Sequence, residues 1–395
     1  MKNRLSCLLV IIMVAISGWA GISARCPNGP QPESPGVNMI FIEDLAIKSA
    51  GLNNEYSFFA VGVEADSKGN IYVLNNHDYK VLRFNAKGEF LGAIGKKGQG
   101  PGEFEAPASM FIDRQDNLYV HDVVRLALAV FDDKGQFLKN IKGVEFLAWT
   151  SKFMIDPELN IVCGYQPLFA SGEKNSYLIG KFDRDFQLIR KIYEKEGVIT
   201  IYRIRTGEGV LSVQPPIYTP RVVWTLDQEG RIYAGYNDSY EIQILSPKGE
   251  LIRSIRRDVK PEKIPEEERK KIQDDFEKRY PGVSRFIRFP QVKPTFVRLY
   301  VIEGYLFVLR ERVGRDYSYD VFDKHGDYLG DIVLDFQPLV CRNGFVYTMR
   351  PEFEGEARSD NIVDVGIVRY KTVRKTGHLP AFRICSLLSH SFHSF

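Results

Sequence analysis

Residues 68–94 read Lys68-Gly69-Asn70-Ile71-Tyr72-Val73, a polar gap, Lys80-Val81-Leu82-Arg83-Phe84, then Lys87-Gly88-Glu89-Phe90-Leu91-Gly92-Ala93-Ile94. Short runs of β-branched and aromatic residues alternate with turn residues, the pattern of antiparallel strands joined by tight hairpins. Glycine in these turns supplies the positive φ that a two-residue hairpin demands. The same grammar returns as Asp116-Asn117, Leu118-Tyr119-Val120, Ala129-Val130-Phe131, Lys134-Gly135-Gln136 and Phe137-Leu138. Aligned on the second residue of the aliphatic-aromatic strand, the chain yields a column of six: Tyr72, Tyr119, Val162, Tyr233, Phe307 and Tyr347. Successive steps down the column are 47, 43, 71, 74 and 40 residues, and three of these match the period of a four-stranded propeller blade. The expected fold is all-β, a six-bladed β-propeller of four-stranded antiparallel blades over residues 38–374.

The two long steps locate insertions. Between the third and fourth units, Ile192 to Thr219 carries Gly207, Gly209, Pro215 and Pro216 and reads as a long loop or an added strand pair. Between the fourth and fifth, residues 259–283 hold Pro265, Glu266, Glu267 and Glu268, then Ile272 and Phe276 four apart, and Pro281. That spacing predicts a short charged helix from Glu266 to Tyr280, packed on the propeller by Ile272, Phe276 and Tyr280. The outer turn recurs as Lys87-Gly88, Lys134-Gly135, Lys248-Gly249 and His325-Gly326. Phe186 holds the glycine place in the third unit, so that turn is expected to take another form or to slip its register. The last unit, Pro338 through Tyr370, is one strand short, and Asn38–Ile47 is a spare strand. Pairing the two would close the ring and remove exposed strand edges.

With 33 Gly, 20 Tyr, 26 Phe and 44% hydrophobic residues in 395, the composition is that of a soluble, strand-rich protein. The 53 basic and 50 acidic residues leave a formal charge of +3, which gives no broad electrostatic footprint for nucleic acid. Lys2 and Arg4, an apolar run from Leu5 to Ile16, and small residues through Ala20 and Ala24 follow the order of a secretory signal. We therefore expect a signal peptide over 1–24, a linker over 25–37 and a periplasmic or secreted location, with the tail 375–395 fitting no blade. Arg25 stands where lipoprotein anchoring through Cys26 needs a small residue, so membrane contact is expected only if the N-terminal segment stays uncleaved or is lipidated. Cys163 and Cys341 lie in apolar strand patterns and read as small buried hydrophobes.

The connection after the first unit reads Gly95-Lys96-Lys97-Gly98-Gln99-Gly100-Pro101-Gly102-Glu103-Phe104-Glu105-Ala106-Pro107, followed by Met110-Phe111-Ile112-Asp113 and Asn117-Leu118-Tyr119-Val120-His121-Asp122. This resembles the NHL repeat, in which a Gly-rich loop ending Gly-Pro-Gly-Glu-Phe leads to a Pro, an apolar strand closed by Asp, and an Asn-aliphatic-Tyr-Val strand ending in Asp. It is similar also to the exported six-bladed propellers of bacteria related to that family, and so implies the same fold and an export signal. The resemblance is strong over 57–141 and weaker over 220–256; elsewhere it is one of spacing. The strand-ending Asp is kept at Asp122 but replaced by Asn75, Tyr165, Tyr236, Arg310 and Arg350, so a function resting on that acidic ring does not carry over.

Propellers place ligands at a mouth of the central channel, where loops and inner-strand starts converge. Glu64, Asp113, Asp156, Asp227 and Glu303 are the acids at inner-strand level, but most belong to the turn after the strand, where a carboxylate caps backbone N–H groups. His77, His121 and His325 occupy different places in the unit and read as exposed loop or turn residues, not as a zinc set. No nucleophile elbow, reactive Cys–His pair or phosphate loop is present, so no catalytic residue, metal site or cofactor is assigned, calcium alone being kept open. Lys152, Arg221 and Arg298 stand 10, 12 and 9 residues before the aromatic column in units three, four and five. Gathered, they would form an anion-attracting mouth; dispersed, they would be solvated surface charges. Trp224, Tyr300 and Tyr319 are aromatic groups for stacking on a sugar or peptide, or for the core. The expected role is a non-enzymatic binding scaffold for a protein, peptide or glycan, with Lys152, Arg221, Arg298 and Trp224 as its ligand-binding residues. The alternative, a calcium- or zinc-dependent hydrolase or lyase, requires three carboxylate or His side chains converging at the channel mouth.

Overall fold

The computed structural model describes residue 37 and residues 39–48, 60–142, 152–165, 176–206, 209–314, 316–353 and 362–374. The signal, nearly all of the linker, and the tail 375–395 lie outside the described residues. Six four-stranded antiparallel sheets follow one another along the chain. From inner to outer strand, blade 1 is Ala60–Ala65, Ile71–Asn75, Lys80–Phe84 and Phe90–Ile94. Blade 2 spans Pro107–Ile112 to Phe137–Ile141, blade 3 Phe153–Ile155 to Leu188–Glu196, blade 4 Val222–Leu226 to Leu251–Arg256, and blade 5 Arg298–Ile302 to Tyr328–Leu334. Blade 6 takes Val340–Arg342, Phe345–Phe353 and Ile362–Arg374 from the end of the chain and Met39–Ile47 from its beginning. The spare strand thus closes the ring, antiparallel to Ile362–Arg374 in a register from Met39 opposite Arg374 to Ile47 opposite Ile367. Asp44 reinforces the seam by accepting two hydrogen bonds from the Arg369 guanidinium, at 3.1 and 2.9 Å.

The core is not central. It is divided among six apolar clusters, one for each junction between neighbouring blades. Tyr72 and Leu74 face blade 2, while Ile71 and Val73 face blade 6. A strand buried on both faces has no polar side, which is why the aliphatic-aromatic strand is the legible part of each unit.

The turn after the inner strand is built alike in blades 1, 2 and 4. Asp66, Asp113 and Asp227 each accept backbone N–H groups two and four residues on, and the column tyrosine six residues on donates to the same carboxylate. Blade 3 has Val162 in place of the tyrosine. Its cross-strand neighbour Lys181 supplies the missing donor, reaching Asp156 at 2.7 Å in a buried pair. The outer turn of blade 3 keeps the form of the others, which corrects the first half of the sequence expectation. Its register does shift once more, between Ile179 and Gly180, where the other outer pairs shift only beside the turn. Phe186 adopts φ 65° and donates its N–H to Asp183 as Gly135 does to Asp132. A left-handed non-glycine residue costs roughly 1–2 kcal/mol. Burial of the Phe186 ring, stacked 4.7 Å from Phe182, contributes roughly 1.5–3 kcal/mol and outweighs that strain.

The first insertion is a strand pair, Tyr202–Thr206 with Gly209–Val213, and it begins after Ile192, which belongs to the outer strand of blade 3. The second carries the helix Glu266–Arg279, with three glutamates in its first turn and Lys278 and Arg279 in its last, as the helix dipole favours. Counted from Ala60 the helix lies between blades 4 and 5; counted from Met39 it lies between the fifth and sixth. Phe276 and Tyr280 do not pack on the blades. They join Ile204, Val213, Val283 and Ile287 in a seventh cluster, so the two insertions fold against each other.

Two outcomes test this account. Deleting residues 1–47 is expected to abolish the single cooperative melt followed by circular dichroism and to produce aggregates on gel filtration, because the Ile362–Arg374 edge loses its partner. Lys181→Met should cost about 3 kcal/mol in denaturant unfolding by leaving Asp156 buried without its counter-ion. Adding Val162→Tyr should recover part of that loss.

Candidate functional site

Each inner strand starts at the same face, so residues that introduce inner strands surround one mouth of the channel. Lys152 immediately precedes Phe153–Ile155, Arg221 precedes Val222–Leu226, and Arg298 opens Arg298–Ile302. The structure brings these groups together. Lys152 and Arg221 both lie within the electrostatic reach of Arg298, and Arg221 also faces Tyr177 and Tyr300. All three basic residues are exposed to solvent, yet protein crowds round Lys152 and Arg221 closely enough to disfavour their charge. They stand at the starts of three inner strands, around one mouth of the channel. Crowding, then the repulsion of Arg298, brings the Lys152 amine down to about 7. The same two causes lower Arg221.

Lys152 Nζ donates to the Trp224 carbonyl at 2.5 Å and stands 5.1 Å from the centre of its indole ring. Trp224 itself is only 3% exposed, so it holds the lysine through its backbone and ring face and offers no open stacking platform. The indole also hydrogen-bonds Tyr177, whose ring covers the Gly164 backbone where a Cβ would collide with it. Tyr300 accepts from Gln337 at 2.8 Å and hydrogen-bonds Arg298. Tyr319 is core, fully buried and donating to the Phe336 carbonyl. Among the described residues none of Lys152, Arg221 and Arg298 has a carboxylate partner, so the mouth presents donors and positive charge without internal neutralisation.

Sequence reading missed the residue that sets this geometry. Asn237, 1% exposed, accepts the Arg221 N–H at 2.7 Å and donates to the Phe296 carbonyl at 2.8 Å, fixing both the approach to Arg221 and that to Arg298. Asp122 does the corresponding work in blade 2, accepting the N–H groups of Glu105 and Ala106. The signal was present but displaced: Asn237 lies one place beyond the strand-ending position held by Asp122. The insertions rise on the same face, since both connect an outer strand to the next inner strand. Tyr218 Oη donates to Glu268 at 2.8 Å to tie one to the other.

At the opposite mouth Arg342 reaches from blade 6 to the carbonyls of Ile112 and Asp113, at 3.1 and 3.0 Å. Burial holds the Glu64 carboxyl up at about 8 in spite of Arg342. Asp113, Asp156 and Asp227 are committed to their turns, and Glu303 is an exposed turn residue with φ 51°. Among the described residues no three His, Cys, Asp or Glu side chains gather as a metal site. His121 departs from the expected exposed position: it is fully buried, both ring nitrogens lack a partner, and burial pushes it down to about 4, so it stays neutral. Its ring meets Phe153 edge-on at 6.0 Å as a packing group.

Residues 62–229 match the DUF5128 family model, described as a 6-bladed beta-propeller. The chain is a six-bladed β-propeller. This propeller is similar to a presumed exported protein of Bacteroides fragilis, with a TM-score of 0.52 at 14% identity, over 86% of this chain and 95% of the other. A Bacteroides vulgatus protein of the duf4221 family gives 0.48 at 11% identity, over 86% and 99%. Virginiamycin B lyase from Staphylococcus aureus gives 0.42 at 9%, over 84% and 98%. At these identities the likeness is one of fold. No curated protein sequence matches the chain.

The state of Lys152 is directly measurable. Its acylation by a limiting amine reagent, followed by peptide mass spectrometry, should rise to half-maximum near pH 7 while outer-wall lysines need far higher pH. Arg298→Met should move the Lys152 midpoint upward, because the repelling charge is gone.

Proposed function

We propose that this propeller is an exported, non-enzymatic binding scaffold of the NHL type whose channel mouth holds an anionic group of a protein, peptide or glycan ligand. The observation that supports this reading is that Lys152 and Arg221 each stand within the electrostatic reach of Arg298 at the starts of three inner strands, with no carboxylate partner among the described residues. Holding like charges together costs energy that an incoming anion relieves, and charge-assisted hydrogen bonds contribute roughly 1.5–3 kcal/mol each. The phenols of Tyr177 and Tyr300 add donors beside Arg221. Export is supported by the n-h-c order of residues 1–24 and by the fold shared with a presumed exported protein. No helix among the described residues is long and apolar enough to cross a membrane.

Acidic and neutral oligosaccharides and peptides, compared by calorimetry in low salt, test the reading. Acidic members should bind, and replacing Lys152, Arg221 and Arg298 together by Met should weaken them by a hundredfold or more, on the order of two charge-assisted bonds. Affinity should fall as pH rises above about 7, because unbound Lys152 gives up its proton there and the bound anion must restore it. Lys152→Arg should flatten that profile. Equal binding of neutral and acidic ligands, indifferent to the three substitutions, would sink the proposal.

A further inference from the structure

We propose that the groove on the outer wall between blades 4 and 5 binds a neutral sugar, the Tyr328 ring meeting its C–H face and the Arg257 guanidinium its hydroxyls. This site lies on the outer wall and not at the channel mouth, so it stands or falls apart from the anion-binding reading. The groove encloses about 410 Å³ between the end of the outer strand Leu251–Arg256 and the outer turn of blade 5. Arg253, Arg256, Arg257, Asp327 and Tyr328 line it. That volume is within the range of small-molecule sites.

Behind the groove sits a charge that the fold does not require. Opposite the residue that follows the aromatic column, the third strand carries Leu82, Ala129, Gly180, Gln243 and Val368 in blades 1, 2, 3, 4 and 6. Blade 5 has Asp320 there, 1% exposed. A buried ion pair is seldom better for stability than apolar filling of the same volume, so the packing of blade 5 does not account for it. Asp320 Oδ2 accepts the Tyr240 hydroxyl and the Arg257 guanidinium, both at 2.6 Å. That grip holds Arg257 4.1 Å from the centre of the Tyr328 ring, so a fixed guanidinium stands beside a half-exposed aromatic group. Arg253 meets Asp327 at 2.8 Å and Arg256 meets Glu241 at 2.7 Å. Every arginine lining the groove therefore has a carboxylate of its own. A groove paired in this way offers planar donors and acceptors with little net charge, which suits an uncharged ligand rich in hydroxyls over an anion or a cation.

Calorimetry of the full chain with maltotriose, cellotriose, xylotriose and mannotriose, all uncharged, tests the site. At least one is expected to bind, with an affinity that does not fall as salt is raised and that oxalate does not compete away. Tyr328→Ala, at a half-exposed position that leaves the fold intact, should weaken it about tenfold, the loss of one aromatic contact. Asp320→Leu combined with Arg257→Leu replaces the buried pair by the kind of filling that Leu82 gives blade 1. That double variant should keep the melting temperature and lose the sugar. Silence from all four sugars, binding that survives both variants, or competition by oxalate overturns the site.

Discussion

A propeller blade cannot hide its own apolar surface. Each of the six sheets here is apolar on both faces and buries them against its two neighbours, so no blade is complete until the ring is. The seam between Met39–Ile47 and Ile362–Arg374 is therefore the constraint on which the rest depends. Closing it costs the entropy of a loop nearly as long as the domain, but that cost grows only logarithmically with length. What it secures is two whole blade interfaces, those on either side of blade 6. Asp44 and Arg369 add direction to the seam, because a bidentate pair tolerates no slip of register.

Within that frame, the same local problem is solved several times with different atoms. A carboxylate at the end of the inner strand gathers backbone N–H groups and needs one further donor in a dry place. Tyrosine supplies it in blades 1, 2 and 4, and a lysine from the facing strand does so in blade 3. Likewise Phe186 occupies a conformation that glycine takes elsewhere, because its ring has a partner to stack on. Repeats drift in sequence while keeping the hydrogen bond, and Asp113, Asp156 and Asp227 are spent on these turns.

The mouth is assembled from chain segments that are distant in sequence and are introduced by the least repetitive parts of the molecule. Arg221 follows the strand-pair insertion and Arg298 follows the helical one, and Asn237 clasps the two approaches. The insertions pack on each other in a cluster of their own, beside the six that join the blades, and Val259 at the start of the helical one packs on the junction of blades 4 and 5. Variation and chemistry thus collect at the same end of the channel, while the opposite mouth is tied across by Arg342.

The blade number, the helix and the closing strand were all legible in the chain, because each depends on local periodicity: the aromatic column, the Ile272–Phe276 spacing and a spare apolar run. Lys152, Arg221 and Arg298 were visible as candidates from their places before the inner strands, but their imperfect offsets left gathered and dispersed readings equally open. The distance between side chains on different blades is set by interfaces that no local pattern encodes, so the sequence could not choose between them. Asn237 escaped notice because its role is defined by hydrogen bonds to residues 16 and 59 positions away. His121 was misread because exposure depends on what a neighbouring blade lays against the strand, here Phe153. Sequence determined which segments form strands and how many blades they build; tertiary structure decided which side chains of different blades meet, as Phe153 meets His121 and Asn237 meets the Phe296 carbonyl, because that depends on how whole blades pack.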